Sequence, residues 1–476
     1  MSSFAPSNAT LAAAYDVAAQ VREGFRGEIL IRDSPGFQSA SRIWNAMVAR
    51  NPGVILKCSS TADVQMAVAA ASQTNAATAI RCGGHSLAGF STCQDGVVVD
   101  LSPMRQVSID LEHRTARVAG GCLLGDIDRA TQDAGMVFPA GVVSHTGASG
   151  LILGGGTGWL TRRYGLSCDN VLGFKVVLAD GYLTSASERE NSELYWALRG
   201  GGGNFGVVTE FELKLHPLKA VLLANAWCAQ DKAASVLNYW RDFMPNAPDE
   251  LKWNISLGIA PDLAELPADI RGRAALNETI IWAGEARAGQ RYVDGVLAQG
   301  NPAILMRREI PYLDLQTMAD GDFPHGARYY TKAGYFRELT DASVAIMLQS
   351  LSSVPSPKTQ IELAYLGASC GRVAADETAF GDRSAPFVLN LLGHWNDPSG
   401  DAENVGWVRS LFGELRPSMV PGVYVNFMSA DEDERVREAY HYRWERLLRI
   451  KQTYDPQNFF CRNQNVSNHR NKASAI

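Results

Sequence analysis

Short apolar runs recur along the chain, and the residues separating them change character near position 217. Up to that point the separators are glycines: GGH at 83–85, GG at 120–121, GGG at 154–156 and GGGG at 200–203. Between them, Val97-Val98-Val99-Asp100-Leu101 and Phe174-Lys175-Val176-Val177-Leu178 read as strands bounded by glycine turns. Ser60–Gln73 predicts a helix whose opening Ser-Thr-Ala-Asp has the form of a capping box, with Asp63 in the place of Glu. Leu123–Ala134 predicts another. After His216-Pro217 the glycine density falls. Ala234–Phe243 and Thr340–Ser352 read as helices; Trp253–Ile259, Glu278–Trp282, Gln360–Leu366 and Val388–Trp395 read as strands. That is the pattern of an antiparallel sheet with helices on one face. Asp431–Thr453 predicts a charged amphipathic helix or helix pair, stopped by Tyr454-Asp455-Pro456.

Composition narrows the class. With 476 residues, 46% hydrophobic and 20% charged, the chain can fold two or three packed domains. A net charge of -6 argues against a nucleic-acid partner, because phosphate binding needs a basic face. The longest apolar stretches are broken before they reach membrane-spanning length, so no membrane association is expected. Met1–Gln20 lacks a basic start, apolar run and cleavage site, and a cytoplasmic protein, monomer or homodimer, is expected. Eight cysteines, at 58, 82, 93, 122, 168, 228, 370 and 461, show no zinc-like pairing. They predict free buried thiols and no metal centre. On that reading the Asn-x-Ser/Thr sites at Asn8, Asn254, Asn277 and Asn465 carry no weight.

The glycine loops carry the candidate chemistry. Arg81-Cys82-Gly83-Gly84-His85-Ser86 follows a strand ending at Ala79-Ile80, and successive amides in such a turn form a concavity for an anion such as a diphosphate. Neither a G-x-x-x-x-G-K-S/T loop nor a G-x-G-x-x-G opening a helix is present, which disfavours P-loop and Rossmann assignments. A second loop, Thr146 to Trp159, is rich enough in small residues to lay its backbone against a flat or extended ligand.

Four segments then carry a specific resemblance: RCGGHSLAG, LGGGTGWLTRRYGLSCDNV, ELYWALRGGGGNFGVVTEF and YDPQNFFCRNQNV. In family order over nearly the whole chain, they resemble the berberine bridge enzyme-like branch of the FAD-linked oxidases. That family shares the fold of vanillyl-alcohol oxidase and hydroxynicotine oxidase. The resemblance implies an α+β architecture: a PCMH-type two-part FAD-binding domain at 1–217, a substrate domain with a helix-covered antiparallel sheet at 218–430, and a C-terminal segment, 431–476, returning to the FAD domain.

The resemblance also implies that FAD is bonded through its C8α methyl group to His85, a role suited to neutral imidazole as a nucleophile. Flavin contacts are expected from Arg81, Cys82, Gly83, Gly84, Ser86 and Gly89 in the first loop. The second loop should supply Thr146, Gly147, Ser149, Gly150, Gly154, Gly155 and Gly158; Asn170, Val207, Asn463 and Asn465 complete the set. Relatives with two covalent links carry a cysteine where this chain has Val143, and Cys168 falls in a later turn. A single link is therefore expected. Where relatives carry an arginine after the Phe pair, this chain has Cys461, with Arg462 one place later.

For the substrate, Tyr424-Val425-Asn426-Phe427 reads as a short strand with Tyr424 and Asn426 on one face. Relatives place a carboxylate at the Ala364 position; Glu362, two residues earlier, shares that face and is the candidate base or partner of a cationic amine. A solvated sheet face is the competing reading for Glu362. Tyr440 lies beside the position, Ala439, of the tyrosine base of plant relatives, with Arg443 where they have Asn; core packing explains Tyr440, Tyr442 and Trp444 equally well. Tyr330 and Lys332, with Tyr329, match a segment near the substrate cavity, and His394 is a candidate wall residue. The expected function is a covalent-FAD oxidase passing hydride from a small alcohol or amine, such as a secondary metabolite, to flavin and on to O2 with release of H2O2. The alternative is a non-redox cyclase that keeps FAD as a scaffold. A flavin-free binding module is disfavoured by His85 and both glycine loops.

Overall fold

The computed structural model describes residues 8–467 and is built on three main sheets. The first residues of the segment read above for a leader, 1–7, lie outside the described residues. In the first sheet Val54–Lys57, Val97–Asp100 and Thr78–Arg81 run parallel, and Glu28–Ile31 joins the Val54–Lys57 edge antiparallel. Val97–Asp100 is central and buried on both faces, which is why it reads as an unbroken valine run rather than an alternation. Helices Asn8–Val21 and Thr61–Gln73 cover one face through Ala14, Val17, Val64 and Val68. Ser60 caps the second helix by accepting from the Asp63 amide at 3.2 Å. The reciprocal half of the expected box is shifted by one residue: the Asp63 carboxylate accepts from the Ser59 amide at 2.9 Å and the Arg26 amide at 2.8 Å.

The second sheet is antiparallel, ordered Val107–Asp110, Thr115–Ala119, Val207–Lys214, Val171–Val177, Leu183–Ser187. The third has seven strands, all neighbours antiparallel: Ala303–Pro311, Ala220–Ala229, Ala274–Trp282, Leu251–Ile259, Gln360–Tyr365, Phe387–Trp395 and Arg328–Phe336. Helices Gln230–Phe243, Ala286–Leu297, Asp341–Ser350 and Asp401–Leu415 pack on one of its faces. The α+β expectation is met.

Period-2 alternation decides what each face of the third sheet carries. In Leu251–Ile259 the residues Leu251, Trp253, Ile255 and Leu257 enter the helix-covered core, while Lys252, Asn254 and Ser256 face a cavity against the glycine loops. In Gln360–Tyr365, Ile361, Leu363 and Tyr365 belong to the core, and Gln360, Glu362 and Ala364 to the cavity. Glu278 breaks the rule. It sits on the apolar side of Ala274–Trp282, fully buried, with the Cys228 thiol donating to Oε1 at 3.4 Å.

The charged C-terminal region is a broken helix pair. Val436–Tyr440 ends at His441, whose φ of 47° turns the chain, and Trp444–Tyr454 follows. Leu447 and Trp444 join the core of the second sheet, and Phe460 that of the first. The Lys451 ammonium fixes this return by donating to Asn204 O at 2.7 Å, Asp455 Oδ2 at 2.6 Å and Phe460 O at 3.0 Å. Tyr424–Phe427 is not a strand: Val425–Phe427 forms a single 3-10 turn, because the Phe427 amide bonds back to Tyr424 O at 2.9 Å. All eight cysteines are free, and no described helix is long and apolar enough to cross a membrane.

Burial pushes the Glu278 carboxyl up to about 7. From the ordinary glutamate range up to that value the folded chain keeps a proton that the unfolded chain releases. Stability contributed there is present at low pH and lost as pH rises. Denaturant titrations at pH 5 and pH 8 are expected to show a loss on the order of 2–3 kcal/mol in the wild type relative to Glu278→Gln, whose amide stays neutral throughout.

Candidate active site

Two glycine loops meet edge to edge. Gly83 and Gly147 approach so closely that a Cβ on either would collide with the backbone nitrogen of the other. Only glycine admits this contact. The Leu123–Gly147 bridge and the Leu124 amide, bonded to Thr146 O at 2.9 Å, hold the second loop against helix Leu124–Asp133. Together the loops form one wall of a cavity of about 1180 Å3; the polar face of the seven-stranded sheet forms the other. That volume exceeds the ~300–1,000 Å3 of a pocket for a single drug-sized ligand, which leaves room for a dinucleotide and a second small molecule.

His85 stands in the glycine wall. Its Nε2 lies 2.7 Å from His145 Nδ1, and its Nδ1 lies 3.5 Å from Thr146 Oγ1, another lining residue. Trp44 stacks on the imidazole at 4.8 Å and 17°, and Tyr329 stacks on Trp44 at 3.7 Å and 14°. Burial, and then the neighbouring His145 and His325, hold His85 well below the usual histidine range, so the ring is neutral. One ring nitrogen from each of His85, His145 and His325 lies within 4.8 Å of the other two. His85 and His145 are nevertheless at hydrogen-bond distance, closer than the roughly 3.3 Å between two ligands of one tetrahedral ion.

Opposite this wall, Glu362 accepts from Asn390 Nδ2 at 2.7 Å and Gln360 Nε2 at 3.0 Å. It is partly buried and faces the cavity, and burial raises its carboxyl above the ordinary glutamate range. Tyr424 also lines the cavity. Its hydroxyl accepts from the Gly156 amide at 3.0 Å and Asn426 Nδ2 at 2.8 Å, while Asn426 Nδ2 also reaches Leu151 O at 3.1 Å. A turn, rather than a shared strand face, thus brings Tyr424 and Asn426 together. Burial pushes the Tyr424 phenol up to about 12, so it serves as a neutral hydrogen-bonding group. His394 lines the cavity too, and burial lowers it to about 4.

Several expected site residues lie elsewhere. Tyr440 is packed in the core with its hydroxyl on Gly201 O at 3.2 Å, and cannot serve as a base in the cavity. Tyr442 is exposed and bonds Ala375 O at 3.1 Å; Trp444 is core. Tyr330 and Lys332 take the face of Arg328–Phe336 that turns away: Tyr330 Oη and Lys332 Nζ reach Asp431 at 2.7 and 3.1 Å, and Thr331 between them lines the cavity. Arg81 sits behind the first loop, paired with Asp100 at 2.6 Å and donating to Ala40 O at 2.6 Å. Asn170 braces its own turn by donating to Tyr164 O and Leu166 O at 2.8 and 2.9 Å. Gly89 accepts from Arg50 and packs on Val48, Gly155 lies under Phe380, and Asn465 is buried outside the lining. Cys82, Gly83, Gly84, Ser86, Thr146, Gly147, Ser149, Gly150, Gly154, Gly158, Val207 and Asn463 all line it. The sequence reading missed Trp44, Thr331, Asn390, Asn254 and Lys252. For Lys252 and Asn254, polar residues at alternate positions of an apolar strand were the available signal; Asn390 is a lone polar residue in an apolar run.

The wall fits a flavin dinucleotide. Ser91 Oγ, Trp159 Nε1 and Asn463 Oδ1 are buried on the cavity lining without a protein partner, groups that a ligand rich in carbonyl, amide and phosphate groups can satisfy. Val143 lines the cavity and carries no thiol. Cys168 is buried off the lining, and the Cys82 thiol, on the lining, donates to Cys122 O at 3.2 Å and is pushed up to about 11 by burial. Neither is a thiolate.

Comparison with known proteins agrees with this geometry. The family described as FAD binding domain matches residues 52–187, and the family described as berberine and berberine like matches 423–467. The FAD-linked oxidoreductase YgaK of Bacillus subtilis is 30% identical over 92% of this chain and 96% of its own length. The (R)-6-hydroxynicotine oxidase of Paenarthrobacter nicotinovorans is 35% identical over 49% of this chain and 52% of its own. The crystal structure of 6-hydroxy-D-nicotine oxidase from Arthrobacter nicotinovorans superposes with a TM-score of 0.84 at 25% identity, covering 94% of this chain and 99% of that one.

Because the loops touch through Gly83 and Gly147, Gly147→Ala is expected to force them apart at a cost of roughly 1–3 kcal/mol. The ratio of absorbance at 450 and 280 nm in purified protein should fall at least severalfold against wild type.

Proposed function

The chain belongs to the FAD-linked oxidoreductases that join an FAD-binding domain to a berberine-like C-terminal segment, and we propose that it is an oxidase holding FAD by one covalent bond, through His85. When bound, FAD supplies a two-electron acceptor for a hydride and a route for those electrons to O2, giving H2O2. The observation that carries the reading is the neutral His85 imidazole in the glycine wall, with Nε2 tied to His145 and Nδ1 beside Thr146. If Nε2 carries the proton, His145 Nδ1 accepts it, which directs the Nδ1 lone pair outward as the nucleophile and gives the Nε2 proton somewhere to go. Val143 supplies no second link.

On the substrate side, Glu362 is the proposed base, taking the proton from an alcohol or amine while hydride leaves the adjacent carbon. Asn390 and Gln360 hold its two oxygens, and its raised pKa brings the carboxylate toward the basicity that work near neutrality requires. The Tyr424 hydroxyl and Asn426 are positioning groups between the sheet and the second loop. The substrate is a small molecule that shares the cavity of about 1180 Å3 with the flavin dinucleotide.

Denatured wild-type protein is expected to keep its yellow colour and a mass increment of one FAD, both lost in His85→Ala. His145→Leu should lower the covalent fraction while FAD still binds. Glu362→Gln is expected to cut kcat by about 10²–10⁴. In the wild type kcat/KM should rise with pH through the raised Glu362 pKa, because the base works only when ionised; the variant should lose that limb. A substrate that is turned over without ever bleaching the flavin anaerobically would move the chain to the cyclase reading.

A further inference from the structure

Three lysines are buried among the described residues, and two of them are paired. Lys451 makes the three bonds that hold the C-terminal segment, and Lys332 reaches Asp431 at 3.1 Å and Glu432 at 3.5 Å. The third, Lys252, is 3% exposed and lines the cavity, yet it makes no hydrogen bond or ion pair with any described residue. Its strand explains the placement: Leu251 and Trp253 on either side enter the core, so position 252 must face the other way.

The surroundings add positive charge. Arg162 is 1% exposed behind the same strand, spends its donors on Leu251 O at 2.6 Å and Ala247 O at 3.0 Å, and leaves Nη1 without a partner. Asp249, the nearby carboxylate, is taken by Arg372. A buried ammonium without a counter-charge costs several kcal/mol, and a chain keeps such a group where a ligand offsets the cost.

We propose that Lys252 is the receptor for an anionic group of the substrate, so that the molecule oxidised in this cavity is an organic acid. The inference rests on the reading of the cavity as a flavin and substrate site and names the class of substrate it takes. Ser256 pairs with Glu362 across the neighbouring strands, and Lys252 lies four residues from Ser256 on the same face. That separates the anion receptor from the base by roughly 13 Å of sheet. The substrate is therefore extended, with its carboxylate at the Lys252 end and its oxidisable C–O or C–N centre toward Glu362. Asn254, between them, presents an Oδ1 without a protein partner for a donor along the molecule.

Burial, and secondarily Arg162, lower the Lys252 amine to about 8. Cys370 is the other titratable group acting on it, and Glu362, Tyr335 and Tyr424 face the same cavity. Cys370 is pushed up to about 11 and Tyr424 to about 12, and burial raises Tyr335 further, so none of the three ionises near pH 8. Anion binding is then expected to be full from the carboxyl's own titration up to about 8 and lost above it.

The test uses the flavin-loaded enzyme and paired probes, 3-phenylpropionate and 3-phenylpropionamide, with binding read from the flavin absorbance change. The acid is expected to bind at least tenfold more tightly than the amide at pH 7, and to weaken as pH rises through 8. Lys252→Met should abolish the preference and Lys252→Arg should retain it. Lys252→Met should also melt at or above the wild-type temperature, because an unpaired buried charge is replaced by an apolar chain of similar length. Equal binding of acid and amide, or an unchanged preference in Lys252→Met, overturns the proposal. So does loss of FAD from that variant, which would assign the amine to the cofactor. The mass of the denatured wild type reports the His85 link separately, so failure of that link and failure of the anion receptor are told apart.

Discussion

Everything in the site depends on two backbones meeting with no side chain between them. Gly83 and Gly147 touch through main-chain atoms, and that contact fixes the distance between the loop carrying His85 and the loop carrying His145 and Thr146. The 2.7 Å bond between the two imidazoles is a consequence, since a methyl group at either glycine would push the rings apart. The same economy of side chains recurs at Gly154-Gly155-Gly156-Thr157-Gly158. A wall that must lie flat against a ligand has no room for rotamers.

The opposing wall solves a different problem. A seven-stranded antiparallel sheet has two faces, and here four helices take one of them, leaving the other to define chemistry. Alternation then does the sorting: Trp253 and Ile255 go to the core while Lys252, Asn254 and Ser256 go to the cavity. Alternation also explains the exclusion of Tyr330 and Lys332. Each is one residue from Thr331, and one residue is enough to change face.

Sequence reasoning located the glycine loops, most of the strands and the face shared by Glu362 and Ala364, because each rests on a local rule of spacing. It erred where contacts are distant in sequence. Tyr424 and Asn426 looked like a strand pair, but a turn closed by the Phe427 amide brings them together. Tyr440 lay beside a family position, yet its hydroxyl is consumed by Gly201 O, 239 residues away. Arg81 and Asn170 sit inside the expected motifs but serve as braces, Arg81 for its loop and Asn170 for its turn. No spacing rule reveals whether a motif residue points at the ligand or at the loop's own backbone. Nor does a single Lys in an apolar strand declare itself until the carboxylates around it are known to be taken.

What remains is a cavity in which burial has neutralised five titratable groups of the lining. His85 and His394 are pushed down, and Tyr424, Tyr335 and Cys82 are pushed up, so all five are uncharged near neutrality. Such a lining suits hydride transfer, in which a substrate must lose a proton and a hydride without a nearby charge capturing either prematurely. Apart from Arg462 and the exposed Asp262, Asp322 and Lys358 that also line it, two strand residues facing the cavity keep the capacity to be charged at working pH, Glu362 on one strand and Lys252 on its neighbour. Because they are of opposite sign and about four residues apart along the sheet, they give the cavity a direction. A substrate of the proposed class, with one anionic end, has one favourable orientation in it, with that end at Lys252 and its reacting carbon at Glu362. Orientation of this kind raises the rate without a further catalytic group, since it removes the unproductive pose before the chemistry begins.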